Sequence, residues 1–95
     1  MRSAITRLQL RHFQLIRTIN DLGQLSLAAE RLAMTQPAAS RALSEVERIV
    51  GAPVFLRHPK GMTASPVGEV LVRHAGLLLS GLDQAADELE AFRSG

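Results

Sequence analysis

The sequence contains no cysteine, no tryptophan and no tyrosine. Without thiols it has no disulfides, no zinc–thiolate sites and no cysteine nucleophile, a composition that suits a reducing compartment. Its three aromatic residues are all phenylalanine. The core must therefore come from Leu, Ile, Val and Ala, a mixture that favours packed helices over a β-sandwich. No apolar run approaches the length of a membrane span. The stretch Met1 to Leu10 carries Arg2, Ser3, Thr6, Arg7 and Gln9 where a signal peptide needs an unbroken apolar segment. A cytoplasmic protein with no membrane partner is the expectation. His12, His58 and His74 are scattered, with no carboxylate or second histidine at ligand spacing, so neither a metal nor another cofactor is expected. No nucleophile and base, and no carboxylate pair, announce an enzyme.

What is present is one small domain's worth of chain, 95 residues at 46% hydrophobic content, too short for an added ligand-binding module. The charge is divided. Met1 to Lys60 holds nine basic residues against Asp21, Glu30, Glu45 and Glu47, whereas beyond it Arg73 and Arg93 meet Glu69, Asp83, Asp87, Glu88 and Glu90. A basic head on an acidic stalk suits a polyanion ligand for the head.

The apolar spacing predicts four helices and a hairpin. Leu8, His12, Leu15, Ile16, Ile19 and Leu22 define a helix from about Arg7 to Asp21 that Gly23 ends. Ser26 is the expected cap of a short second helix reaching Leu32, and Ala33-Met34 the tight connection after it. Thr35 caps a third, with Pro37 in its first turn. At 100° per residue, Ala39, Ala42, Leu43, Val46, Ile49 and Val50 share its inner arc. Pro37, Ser40, Arg41, Ser44 and Arg48 share the outer one, with Gln36 at the exposed end, and Gly51 and Pro53 stop the helix. Val54 to Ala64 reads as two short strands about a type I turn with Pro59 and Gly61 at its second and fourth positions. Ser65 caps the last helix and Pro66 opens it. There Leu71, Ala75, Leu78, Leu82, Ala85, Leu89 and Phe92 form a heptad seam. A helix from Pro66 to about Arg93, roughly 40 Å long, exceeds the needs of so small a core, so the seam predicts a second copy as its partner.

Two short helices about a tight turn, followed by a basic hairpin, are the parts of a winged helix-turn-helix. A helix about 10–12 Å across fits the major groove of B-DNA, and its outer face must then offer hydrogen-bonding groups to base edges. Gln36, Ser40 and Arg41 offer them, with Ser44 on the same face. Thr35 at the helix start suits a phosphate. Arg57 and Lys60 on the hairpin would meet DNA backbone or minor groove.

The run Gly23-Gln24-Leu25-Ser26-Leu27-Ala28-Ala29-Glu30-Arg31-Leu32 is followed by Thr35-Gln36-Pro37-Ala38-Ala39-Ser40-Arg41 and then by Leu43, Glu47, Gly51, Pro53, Phe55 and Arg57. With Lys60-Gly61 and Ser65-Pro66-Val67-Gly68-Glu69, this ordered set resembles the signature of LysR-type transcription regulators from Leu10 to Leu89. Leu25, Ala64 and Val67 stand where that family more often has Phe, Leu and Ala. The resemblance implies double-stranded promoter DNA as partner, at partly palindromic sites, with Gln36, Pro37, Ser40 and Arg41 touching it. It also implies a homodimer through the long helix, and a tetramer in the full-length protein. A small-molecule effector is expected only for a C-terminal domain that this chain does not include.

The expected fold is thus mainly α, a winged helix-turn-helix over residues 1–65 followed by a linker and dimerisation helix over 66–95. The competing expectation is a helical adaptor whose basic head meets an acidic protein.

Overall fold

Helices form where the apolar spacing puts them, and most of the departures are at their ends. The computed structural model describes residues 1–94, so Gly95, the last residue of the expected linker segment, lies outside the described residues. In chain order the elements are α1 (Arg2–Ile5), α2 (Leu10–Leu22), α3 (Leu25–Arg31), α4 (Gln36–Val50), β1 (Phe55–His58), β2 (Gly61–Ala64) and α5 (Pro66–Ser94).

Two starts differ from expectation. Gln9, in extended conformation, precedes α2, so the helix opens at Leu10 instead of Arg7. Its N–H donates to Nδ1 of His12 at 2.9 Å, which satisfies a donor the helix itself cannot. The four-residue α1 before it was not anticipated. Likewise Gln24, not Ser26, precedes α3: its carbonyl accepts the first helical bond, from Ala28 N–H at 3.1 Å, and Leu25 is drawn into the core. Ser26 is an exposed residue within the helix. The connection at Ala33 is tight enough to force a left-handed φ of 55°.

α4 is as expected. Thr35 Oγ1 accepts the Ala38 N–H at 3.2 Å, and Gly51 at φ 77° ends the helix. All six residues of the predicted inner arc are buried. They meet Leu15, Ile16 and Ile19 of α2, Ala28 and Ala29 of α3, and Val54, Phe55 and Met62 of the hairpin in one core. The small Ala28, Ala29 and Ala39 permit close helix approach, and the burial of such aliphatic groups is the main driving force for this assembly.

The hairpin is a two-stranded antiparallel sheet pairing Phe55 with Ala64, Leu56 with Thr63, Arg57 with Met62 and His58 with Gly61, which leaves Pro59 and Lys60 as the loop. It is held to the helices at two points. Gly61, at φ 135°, lies so close to the end of α2 that a Cβ there would sit 2.2 Å from the Gly23 carbonyl oxygen, and Met62 N–H donates to that same oxygen at 2.8 Å. At the other end the Ser65 hydroxyl donates to the Pro53 carbonyl at 2.6 Å and accepts the Gly68 N–H at 3.0 Å, so one side chain ties the hairpin's root and caps α5.

The heptad seam divides along α5. Leu71 and Ala75, expected to pair with a second copy, are buried at 4% and 0% exposure in the chain's own core, so they are corrected to core residues. With Gly68 they make the first turns of α5 part of the head, and packing runs across the expected boundary at residue 65. The physical reason is that an apolar seam on a helix carries no mark of which stretch a neighbouring helix of the same chain will cover. From Ser80 to Ser94 every residue is exposed, and the molecule extends to 51 Å along its long axis. Among the described residues no helix is long and apolar enough to cross a membrane.

Candidate nucleic-acid interface

The amphipathic pattern that buries the inner arc of α4 turns Gln36, Pro37, Arg41, Ser44 and Arg48 outward, with Ser40 half-buried between them. Three shallow hollows join this face to its surroundings. One is lined by Gln36, Pro37 and Ser40 of α4, Leu25 of α3 and Arg57 of β1. A second runs from Gln36 past Arg57 and His58 to Pro59 and Lys60 at the hairpin tip. The third follows Ser40, Arg41, Ser44, Glu45 and Arg48 toward the far end of the helix. Shared members make these one continuous surface. It gathers Gln36, Pro37, Ser40, Arg41, Ser44, Arg57 and Lys60, with exposed Thr35 immediately before Gln36. Because its Oγ1 already accepts from Ala38, Thr35 retains its hydroxyl proton as a donor to an anion at the start of α4.

The charges are arranged unevenly. Among the described residues the ion pairs all end on Glu45, from Arg11 at 3.6 Å, His12 at 3.3 Å and Arg48 at 4.0 Å. Arg41, Arg57 and Lys60 therefore face solvent without a carboxylate partner among the described residues. That is the state in which a cation gains most from a phosphate or a guanine edge, because no internal pair has to be broken. Lys60 N–H donates to His58 Nδ1 at 3.2 Å, which leaves the His58 proton on Nε2 to donate to Thr63 Oγ1 at 2.7 Å. The imidazole thereby braces the tip that presents Lys60. Among the described residues no three His, Asp or Glu side chains gather as a metal site would need.

The sequence pattern placed His12 on the inner stripe of the first helix, but gave no functional role to His12, Glu45, Glu47 or His58. Glu47 sits in the quoted signature, and its Oε2 accepts the Val54 N–H at 2.8 Å, fixing the turn from α4 into β1. The signal for it was present as a motif position without a mechanism. For His12 and Glu45, 33 residues apart, no local pattern existed to find.

This chain matches the family described as bacterial regulatory helix-turn-helix protein, lysR family, over residues 10–69. It is 40% identical over 89 residues to the HTH-type transcriptional regulator GbpR of Azospirillum brasilense, covering 94% of this chain and 26% of that one. The HTH-type transcriptional regulator GbpR of Rhizobium radiobacter is 42% identical over 86 residues, 88% of this chain and 28% of its own. The chain thus spans about a quarter of the length of these curated relatives. Among solved structures, the BenM_DBD/catB site 1 DNA complex superposes with a TM-score of 0.85 at 26% identity, over 93% of this chain and 98% of that one. A capped outward-facing helix, a hairpin braced beside it and a family match through both lead to one conclusion: the chain belongs to the LysR family of bacterial regulatory helix-turn-helix proteins.

Proposed function

We propose that this chain binds double-stranded promoter DNA sequence-specifically, as the DNA-reading end of a cytoplasmic transcription regulator. α4 enters the major groove with Gln36, Ser40 and Arg41 toward base edges and Pro37 and Ser44 against them. Thr35, Arg57 and Lys60 hold the phosphate backbone or the minor groove. The observation that carries this reading is the single continuous surface on which seven of these eight residues lie with Arg41, Arg57 and Lys60 unpaired among the described residues. The structural likeness to a protein bound to DNA supports it. The role assigned is binding, not catalysis. A small-molecule effector belongs to a C-terminal domain of a longer chain.

Two copies join through α5 in the same proposal, and the regulator acts as a dimer or tetramer on a partly palindromic site. Leu78, Leu82, Leu89 and Phe92 are 47%, 49%, 64% and 86% exposed, and with Ala85 they leave an apolar stripe that water disfavours. A closed two-fold dimer then presents two copies of α4 to two inverted half-sites.

Selection of bound sequences from a random duplex pool tests this. Inverted half-sites are the expected outcome. On the selected duplex, log K should fall with log salt at about −0.9 per phosphate contact, and Arg41→Ala should cost about 1–3 kcal/mol on that duplex but not on random DNA. Binding indifferent to duplex sequence at every salt concentration would favour the adaptor reading instead.

A further inference from the structure

His12 is fully buried, yet the surface described above does not use it. Its Nδ1 accepts the Gln9 N–H at 2.9 Å. A neutral imidazole with Nδ1 as acceptor carries its proton on Nε2, and Nε2 faces Oε2 of Glu45 at 3.3 Å. Glu45 lies on α4 one turn after Arg41 and beside Ser44, in the hollow it shares with Ser40, Arg41 and Arg48. Arg11 of α2 approaches the same carboxylate oxygen at 3.6 Å. Among the described residues, the polar side-chain bonds and ion pairs that join α2 to α4 all end on Glu45.

Apart from His12, the buried residues of α2 and α4 are all apolar, and apolar burial has no direction. It holds α4 against α2 but resists rotation about the helix axis only through side-chain shape. Rotation matters for reading bases. A turn of about 20° carries a side-chain tip about 6 Å from the axis through about 2 Å, several times the roughly 0.5 Å spread of good hydrogen-bond lengths. A directional bond from a buried group anchored at the N-terminus of α2 adds a constraint across this interface, as the Glu47–Val54 bond does where α4 leads into β1.

We propose that His12 is a positioning residue for base recognition: by donating to Glu45 it sets the rotation of α4 and hence the aim of Ser40 and Arg41. This rests on the DNA-reading role above. His12 touches no DNA in it. Glu45 has the second task of restraining Arg11 and Arg48, two cations that would otherwise add affinity without sequence preference.

The test measures Kd for a selected duplex and for a random one at a single salt concentration, with thermal melting of each variant alongside. His12→Leu and Glu45→Leu each lower the selected-over-random ratio at least about fivefold, the lower end of what one bidentate base contact supplies. The double variant falls no further than either single one, since both remove the same constraint. Glu45→Gln, whose amide oxygen still accepts from Nε2, restores the ratio while binding random DNA more tightly, because Arg11 and Arg48 are released. Should His12→Leu fail to fold, the partly exposed Glu45 carries the test through its Leu and Gln variants. A selective wild type whose Leu variants keep the full ratio and merely melt earlier overturns this inference alone. A wild type that prefers no duplex overturns the DNA-reading role and this inference with it.

Discussion

Leu71→Ala and Leu82→Ala remove the same atoms from one apolar seam, yet the structure gives them opposite consequences. Leu71 is 4% exposed beside Phe13 and Ile5. Truncating a leucine so placed costs about 2–5 kcal/mol, the transfer of its lost methyl groups plus the cavity left behind. A chain of this length has about 5–14 kcal/mol of stability in all. At about 4–8 °C per kcal/mol, a loss of about 3 kcal/mol lowers Tm by about 12–24 °C, and does so at any protein concentration because the contact lies within one copy. Leu82 is 49% exposed, so its truncation leaves an isolated copy unchanged within about 0.5 kcal/mol. In a dimer it forgoes roughly half the burial of a leucine, about 1 kcal/mol in each copy. That amounts to about 2 kcal/mol and an association about 30-fold weaker. Circular dichroism melts across a dilution series, with sedimentation of the same samples, separate the two. The Leu82 deficit should vanish on dilution as the dimer itself dissociates. The division of the seam is refuted if Leu71→Ala melts with the wild type in dilute solution, or if Leu82→Ala loses as much at every dilution.

Gly61→Ala should cost at least about 2 kcal/mol, since it adds a side chain at a φ of 135° and drives it into the Gly23 carbonyl. Faster hydrogen exchange at the Met62 amide would report the hairpin parting from α2, and unchanged exchange with an unchanged melt would contradict the docking. Ser65→Ala leaves the Pro53 carbonyl and the Gly68 N–H without their partner. A loss of about 1–3 kcal/mol in denaturant unfolding is the expected result. Arg57→Ala and Lys60→Ala should each make the salt slope of DNA binding shallower by about 0.9, with similar affinity losses on selected and random duplexes. A loss confined to the selected duplex would move that residue from backbone to base contact.

Local signals made α4 readable from the sequence nearly to the residue. Thr35, Pro37 and Gly51 each act on the backbone within a few positions of themselves, and the 100° spacing assigned every inner residue correctly. Starts that depend on a partner elsewhere were less readable. α2 opens at Leu10 because His12 supplies an acceptor for the Gln9 N–H, and α3 opens at Leu25 because the core has room for that leucine. A serine two residues later scores as a better cap by chemistry alone, but capping preference is worth about 1 kcal/mol, less than burying a leucine.

The surface proposed to read DNA and the stalk were legible to different degrees for the same reason. Gln36, Ser40 and Arg41 are brought together by one helix, so periodicity alone was enough, and Arg57 and Lys60 join them through a hairpin whose loop residues are a local matter. The seam of α5 is also periodic, but periodicity states only that a face is apolar, never what covers it. Here the core of the same chain takes Leu71 and Ala75, whereas Leu78, Leu82, Leu89 and Phe92 stay exposed. The pair of His12 and Glu45 lies beyond any such pattern, because a polar contact between two helices depends on their relative rotation. That rotation is itself what the pair sets, so the residues that aim α4 could be found only after α2 and α4 had been placed side by side.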